Sequence, residues 1–177
     1  MALYPDAIWH AGVSAGHYSG GPWRIVWHTT EGHSATGAMH TFTVKKDWPH
    51  FTVDENHVYQ HIDTSFAARA LKHPAGGVET NRMHAVQIEL VGQAAHPKPP
   101  ALLARAAKLA RWIESTHGIP KLWPNGYPPP AAGGHDPGRH NRNAAVWKTT
   151  GGHYGHCHVP GNIHWDPGTI DVLALMS

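Results

Sequence analysis

The sequence predicts an α/β fold, a central mixed β-sheet flanked by helices, in a single domain spanning residues 1–177. Three observations carry this. Short runs rich in β-branched and aromatic residues recur along the chain, bounded by glycine, proline and asparagine. A long segment between them has apolar residues at helical spacing. The two patterns alternate, as they do when helices cover a sheet.

Taken in order, "GPWRIVWHTT" (21–30) reads as a buried strand, introduced by "GGP" and ending near His28. A short helix is expected near 36–45. "HFTVDENHVYQHI" (50–62) reads as a hairpin about the turn residues Asp54 to Asn56. "HAVQIELVG" (84–92) is a further strand, with Val86, Ile88 and Leu90 on one face and Gln87 and Glu89 on the other. Asn81 and Arg82, just before it, fit a turn. In "ALLARAAKLARWIESTHGIP" the residues Leu102, Ala106, Leu109 and Ile113 step by four, three and four, which marks an amphipathic helix stopped by Gly118 and Pro120. Residues 119–155 read as a long loop, a length that often carries function. "DPGTIDVLALM" fits a short terminal helix with Ile170 and Leu173 facing inward. Trp23, Trp27 and Trp112 are expected in the core, and Trp123 and Trp147 beside the long loop, where either would line a groove.

Composition narrows the functional classes. The formal charge is +2, from 14 basic and 12 acidic residues, with no Lys/Arg run to follow a phosphate backbone. Nucleic-acid binding is therefore disfavoured. No stretch reaches the ~18 consecutive apolar residues of a membrane span, so membrane insertion is not expected. The start, "MALYPDAIWH", lacks a basic and then apolar leader, which predicts synthesis without a signal peptide. The single cysteine, Cys157, makes neither an internal disulfide nor a CxxC site, and fits a small buried thiol. Eighteen histidines are scattered through the chain rather than grouped in a tract.

Histidines concentrate in "GHYGHCHVPGNIHWDPG" (152–168). His156 and Asp166 lie ten residues apart across a bend made by Pro160 and Gly161, and His28 ends a distant strand. Two imidazoles and a carboxylate are a common catalytic zinc set with a position left for water. Among eighteen histidines, spacing alone does not single out this set.

Four segments carry a resemblance: "IVWHTTEG", "HFTVDENHVYQHIDTSFAARAL", "ETNRMHAVQIELVG" and "GHCHVPGNIHWDPG". Together, in order and over nearly the whole chain, they resemble the type 2 N-acetylmuramoyl-L-alanine amidases. That family is related to the peptidoglycan recognition proteins, and the nearest resemblance is to catalytic domains of actinobacteriophage endolysins. It implies a monomeric zinc enzyme whose partner is peptidoglycan. The bond cut would be the amide between the lactyl group of N-acetylmuramic acid and the first L-alanine of the stem peptide. It would be made in the host cytoplasm and act on the wall after release. The resemblance assigns the zinc (Zn2+) ligands to His28, His156 and Asp166, the acidic catalytic residue to Glu89, and an oxyanion partner to His164. Many relatives have lysine at that last position. An ordinary imidazole titrates near ~6.5, so activity is expected to fall as pH rises if His164 has this role.

Plainer readings stand beside these. Glu89 fits a solvent-facing position on an amphipathic strand, or a partner orienting a zinc histidine. In an extended segment His158 shares a face with His156 and competes as ligand, although the family's interval back from Asp166 selects His156. His153 is expected at the surface or in a groove, His50 in a structural place or near the groove, and His135 and His140 in a solvated loop. The rival functions are a recognition module that binds peptidoglycan without cutting, which would typically have lost a ligand, and a zinc peptidase acting on the stem, for which no HExxH helix exists.

Overall fold

A computed structural model describes residues 1–71 and 85–177. Among the described residues eight strands form: β1 (Ile8–Trp9), β2 (Gly16–His17), β3 (Arg24–Thr29), β4 (Phe51–Val53), β5 (Val58–Gln60), β6 (Phe66–Ala67), β7 (Ala85–Leu90) and β8 (Gly152–Gly155). Four α-helices accompany them: α1 (Ala35–Lys45), α2 (Pro100–His117), α3 (Ala144–Thr149) and α4 (Val172–Leu175). The main sheet has the order β1-β5-β4-β7-β3-β8, and β2 pairs with β6 in a separate ribbon. The sheet is mixed. β4, β7, β3 and β8 run parallel to one another, while β5 is antiparallel to β4 and carries β1 parallel to itself.

Its composition explains the burial. Alternate residues of β3 and β7, namely Ile25, Trp27, Val86, Ile88 and Leu90, meet the stripe Leu102, Ala106, Leu109 and Ile113 of α2 in the main core. On the opposite face α1 presents Ala35, Ala38, Met39 and Phe42, an i, i+3, i+4, i+7 stripe, to Trp48, Ile62 and Ala68. The N-terminus of α1 is held by Ser34, whose hydroxyl accepts from Gly37 N at 3.1 Å. Because both sheet faces are covered, β3 and β7 are buried along their whole length, polar residues included. Among the described residues no helix is long and apolar enough to cross a membrane.

Helices α1 and α2, the hairpin β4–β5 and the central strands agree with the sequence reading. The hairpin turn is built by Asp54, whose Oδ1 accepts from Asn56 N (2.8 Å) and His57 N (2.7 Å). Gly118 ends α2 in a left-handed conformation (φ 66°).

Four readings are corrected. The segment 119–155 contains α3 and β8. The short "GHYG" of β8 has no periodicity to announce it and is a strand through its parallel pairing with β3. The terminal helix buries Val172 and Leu175, while Leu173 is 74% exposed, because the capping Asp171 starts the helix one residue later than the expected inward face requires. Trp23 is exposed, since it precedes the strand rather than lying in it. Trp147 and Trp123 are buried rather than open beside the loop; the Trp147 ring packs under the Arg24 guanidinium, 4.7 Å from its centroid. Asn81 and Arg82 lie outside the described residues.

Candidate metal and catalytic centre

Three parallel strands deliver the site. His28 is the penultimate residue of β3, Glu89 the penultimate residue of β7, and His156 directly follows β8. In register His28 stands beside Glu89. Clefts at the carboxyl ends of parallel strands are where open α/β sheets place their chemistry.

His28, His156 and Asp166 converge, and all three are buried. His28 Nδ1 and His156 Nδ1 are 3.1 Å apart, His156 Nδ1 and Asp166 Oδ2 are 3.3 Å apart, and His28 Nδ1 and Asp166 Oδ2 are 3.5 Å apart. For a tetrahedral zinc with bonds of ~2.0–2.1 Å, ligand atoms sit about 3.3–3.4 Å from each other. The triangle has that size, so the donor set fits a divalent ion such as zinc. The charge states suit a ligand set too. Burial would raise the Asp166 pKa, but His156 and His28 overcome it and hold the carboxylate ionised, far below the usual range. Burial keeps the His156 imidazole below its ordinary value despite Asp166 beside it. Thr29 N donates to the Asp166 carboxylate at Oδ2 (3.3 Å), and Cys157 N donates to the Asp166 backbone carbonyl (2.8 Å), so the side chain is held from the end of β3 and the backbone from the turn after β8.

Glu89 is buried, against the reading of a solvent-facing position. Its Oε2 has no hydrogen-bond partner among the described residues. Burial first, and then the charges of Asp166 and Glu31, raise its pKa well above the ordinary carboxylate value. A carboxyl poised this way next to a ligand cluster is equipped to exchange protons.

His164 lies at the rim, its side chain 58% exposed. Its ring stacks on His156 with centroids 4.3 Å apart and planes 13° apart, and its Nδ1 is 3.8 Å from Asp166 Oδ1. Arg142, from the segment before α3, donates to His164 O at 2.8 Å and steadies the rim.

The other histidines separate cleanly. His156–His158 form a 3-10 turn instead of extended chain, which rotates His158 off the face of His156. The His158 Nδ1 accepts from Gly155 N (3.1 Å), so the ring buttresses the strand end. His153, expected at the surface or in a groove, is fully buried: it accepts from Trp27 Nε1 (3.1 Å) and its Nε2 meets Glu114 of α2 at 2.7 Å. This ties β8 to the helix layer. Cys157 is a buried thiol whose pKa burial pushes up to about 12, as expected of an unreactive bystander. His135 is exposed, whereas the His140 side chain is covered and paired with Asp136 at 2.6 Å. His50 is fully buried and structural. Sequence reasoning missed Thr29, Glu31, Lys98 and Gly168 around the ligands; nothing in "TTEG" or "AAHPKPP" announces a contact made only in three dimensions.

A family model described as N-acetylmuramoyl-L-alanine amidase matches residues 18–169. Comparison with curated protein sequences gives no match. Among solved structures, the chain is similar to a selenomethionine derivative of AmpD, at 13% identity over 98% of this chain and 94% of that one, with a TM-score of 0.61. It is similar to the hydrolase AmiA of Staphylococcus aureus in complex with its ligand, at 16% identity over 94% and 74% of the two chains, TM-score 0.60. A third is the endolysin amidase LysCS from Clostridium intestinale, at 16% identity over 67% and 80%, TM-score 0.51. At such identities the likeness is one of fold.

Proposed function

Since the chain belongs to the N-acetylmuramoyl-L-alanine amidase family, we propose that residues 1–177 form a zinc-dependent catalytic domain that cuts the amide between N-acetylmuramic acid and L-alanine of peptidoglycan. The observation that carries the zinc reading is the buried triangle of His28, His156 and Asp166 at tetrahedral spacing, with Glu89 in register alongside. Retention of all three candidate ligands favours cutting over recognition alone.

In this reading the residues divide the work. Zinc, when bound, supplies a Lewis acid for the scissile carbonyl and lowers the pKa of water at the site. Glu89 takes a proton from the attacking water and later delivers it to the leaving alanine nitrogen. A raised pKa makes its carboxylate the stronger base for the first transfer and lets it keep the proton until the nitrogen takes it. His164, at the rim, donates a hydrogen bond to the oxyanion of the tetrahedral intermediate. Thr29 N and Cys157 N hold Asp166 in place throughout.

The lytic setting is part of the proposal: the domain acts on the cell wall, as an endolysin or the catalytic part of one. The test is digestion of purified cell walls followed by mass spectrometry of the muropeptides. Peptides with a free N-terminal alanine, and their loss when a chelator is added, support the reading. New amines elsewhere in the stem, with the sugar–alanine bond intact, would show a peptidase instead.

A further inference from the structure

Behind the candidate ligands lies a buried construction that the proposed reaction does not use. Residues 91–98, between β7 and α2, pack against both segments that carry ligands. Glu31 reaches this turn from the end of β3. Its Oε1 accepts from the Thr29 hydroxyl and from Ala94 N (2.9 Å), and Thr29 N is the group that donates to Asp166 Oδ2. Glu31 keeps a left-handed backbone (φ 50°), disfavoured for a residue with a side chain. From the other direction, Thr169 N donates to Ala94 O at 2.9 Å. Gly168 (φ 60°) lies so close that an added Cβ would sit 2.2 Å from Ala94 O.

Lys98 closes the construction. It is 5% exposed, and its ammonium donates to Gln93 O and His96 O, both at 2.7 Å, and to Thr169 O at 3.4 Å. Three carbonyls thus replace its water, and one belongs to the loop that carries Asp166. An ammonium removed from water persists only with such partners and with opposite charge nearby. Glu31 and Asp166 are the carboxylates that favour its charged form, against a burial that draws its pKa down to about 8.

We propose that Glu31 and Lys98 are positioning residues for the metal centre: they fix the Asp166 loop against the end of β3 and so set how tightly His28, His156 and Asp166 hold zinc. The proposal rests on the zinc reading above. A purely structural role would lower the stability of the fold and leave zinc affinity alone, and that difference is measurable.

The experiment measures the zinc dissociation constant by competition with a chromophoric chelator, and the denaturant stability of the metal-free protein in parallel. The proteins are wild type, Lys98→Met, Glu31→Ala, Glu31→Gln and Ile113→Val, the last a core change on α2. Zinc affinity should fall about 10–100-fold in Lys98→Met and Glu31→Ala, the range for groups that orient ligands. Glu31→Gln, which keeps an oxygen acceptor, should lose less, and Ile113→Val should lose stability while keeping wild-type affinity. Should Lys98→Met not fold, Glu31→Ala decides. Wild-type affinity in the folded variants overturns this proposal alone, whereas a wild-type protein that binds no zinc overturns the zinc reading and this proposal with it.

Discussion

Acidification between about pH 6.5 and 4.5 should destabilise the fold through two buried histidines, well before Asp166 protonates. His50 accepts the Gln87 amide of β7 on Nδ1 (2.9 Å), so its proton sits on Nε2, facing Phe66 O (2.8 Å) and the Tyr18 hydroxyl (3.0 Å). A second proton would set N–H against N–H. His61 donates from Nδ1 to His10 O and meets the Thr52 hydroxyl with Nε2, both at 2.9 Å. Burial lowers each pKa from 6.5 to about 4; nearby His117 and His61 add to the effect on His50, and His10 to that on His61. The sign follows from linkage. Below the unfolded value the unfolded chain takes up protons that the folded one refuses, so stability is whole above pH 6.5 and falls as pH drops towards 4. The full loss is about 2.5 units, or about 3.4 kcal/mol per histidine, and at about pH 5 it is about 2 kcal/mol each. Together that is about 4 kcal/mol, a large part of the ~5–15 kcal/mol typical of a domain. Denaturant unfolding followed by circular dichroism across this pH range supplies the assay, with His50→Gln as comparator. Glu89, whose raised pKa works in the opposite direction, is present in both proteins and drops out of the difference. The variant should lose about 1.36 kcal/mol per pH unit of slope. Equal slopes for the two proteins, or an NMR titration of His50 near its ordinary value, would refute the reasoning.

Glu89→Gln should lower kcat about 10²–10⁴-fold in a muropeptide assay while leaving zinc binding intact; a loss of zinc binding would make Glu89 a support for the metal instead. His164→Ala should cut kcat by up to about 10²–10³-fold with little change in KM, and His164→Lys should restore most of it; if alanine and lysine behave alike, the oxyanion role is wrong. Gly168→Ala places a methyl onto Ala94 O and strains a left-handed backbone, so it should cost about 1–3 kcal/mol in denaturant unfolding; wild-type stability would mean that this loop is free to move away.

What the sequence revealed depended on range. The α2 stripe and the β4–β5 turn are local patterns, written in the spacing of Leu102 to Ile113 and in the Asp54 side chain, and the fold keeps them. The segment "GHYG" carries no local signal, and becomes β8 only because β3 offers it a parallel edge. The residues His28, His156, Asp166, Glu89 and His164 were legible through resemblance rather than through spacing, and the structure brings them together. Glu31 and Lys98 were not, for their positions depend on backbone carbonyls and amides that sequence does not mark. Leu173 and Trp23 were misplaced because element ends carry little periodicity: Trp23 lies just before β3, and Leu173 faces solvent in a helix of a single turn.

The parallel pairing of β3 with β8 also has a bearing on how the protein is made. His28 emerges from the ribosome early, but its partner His156 follows 128 residues later, and strand pairings across such separations form slowly. Until residues 152–166 are synthesised and docked, the growing chain has one of its three candidate metal ligands. On the proposed zinc reading, a nascent chain lacking these residues is therefore expected to be inert, and the docking of β8 that completes the sheet also completes the candidate ligand set.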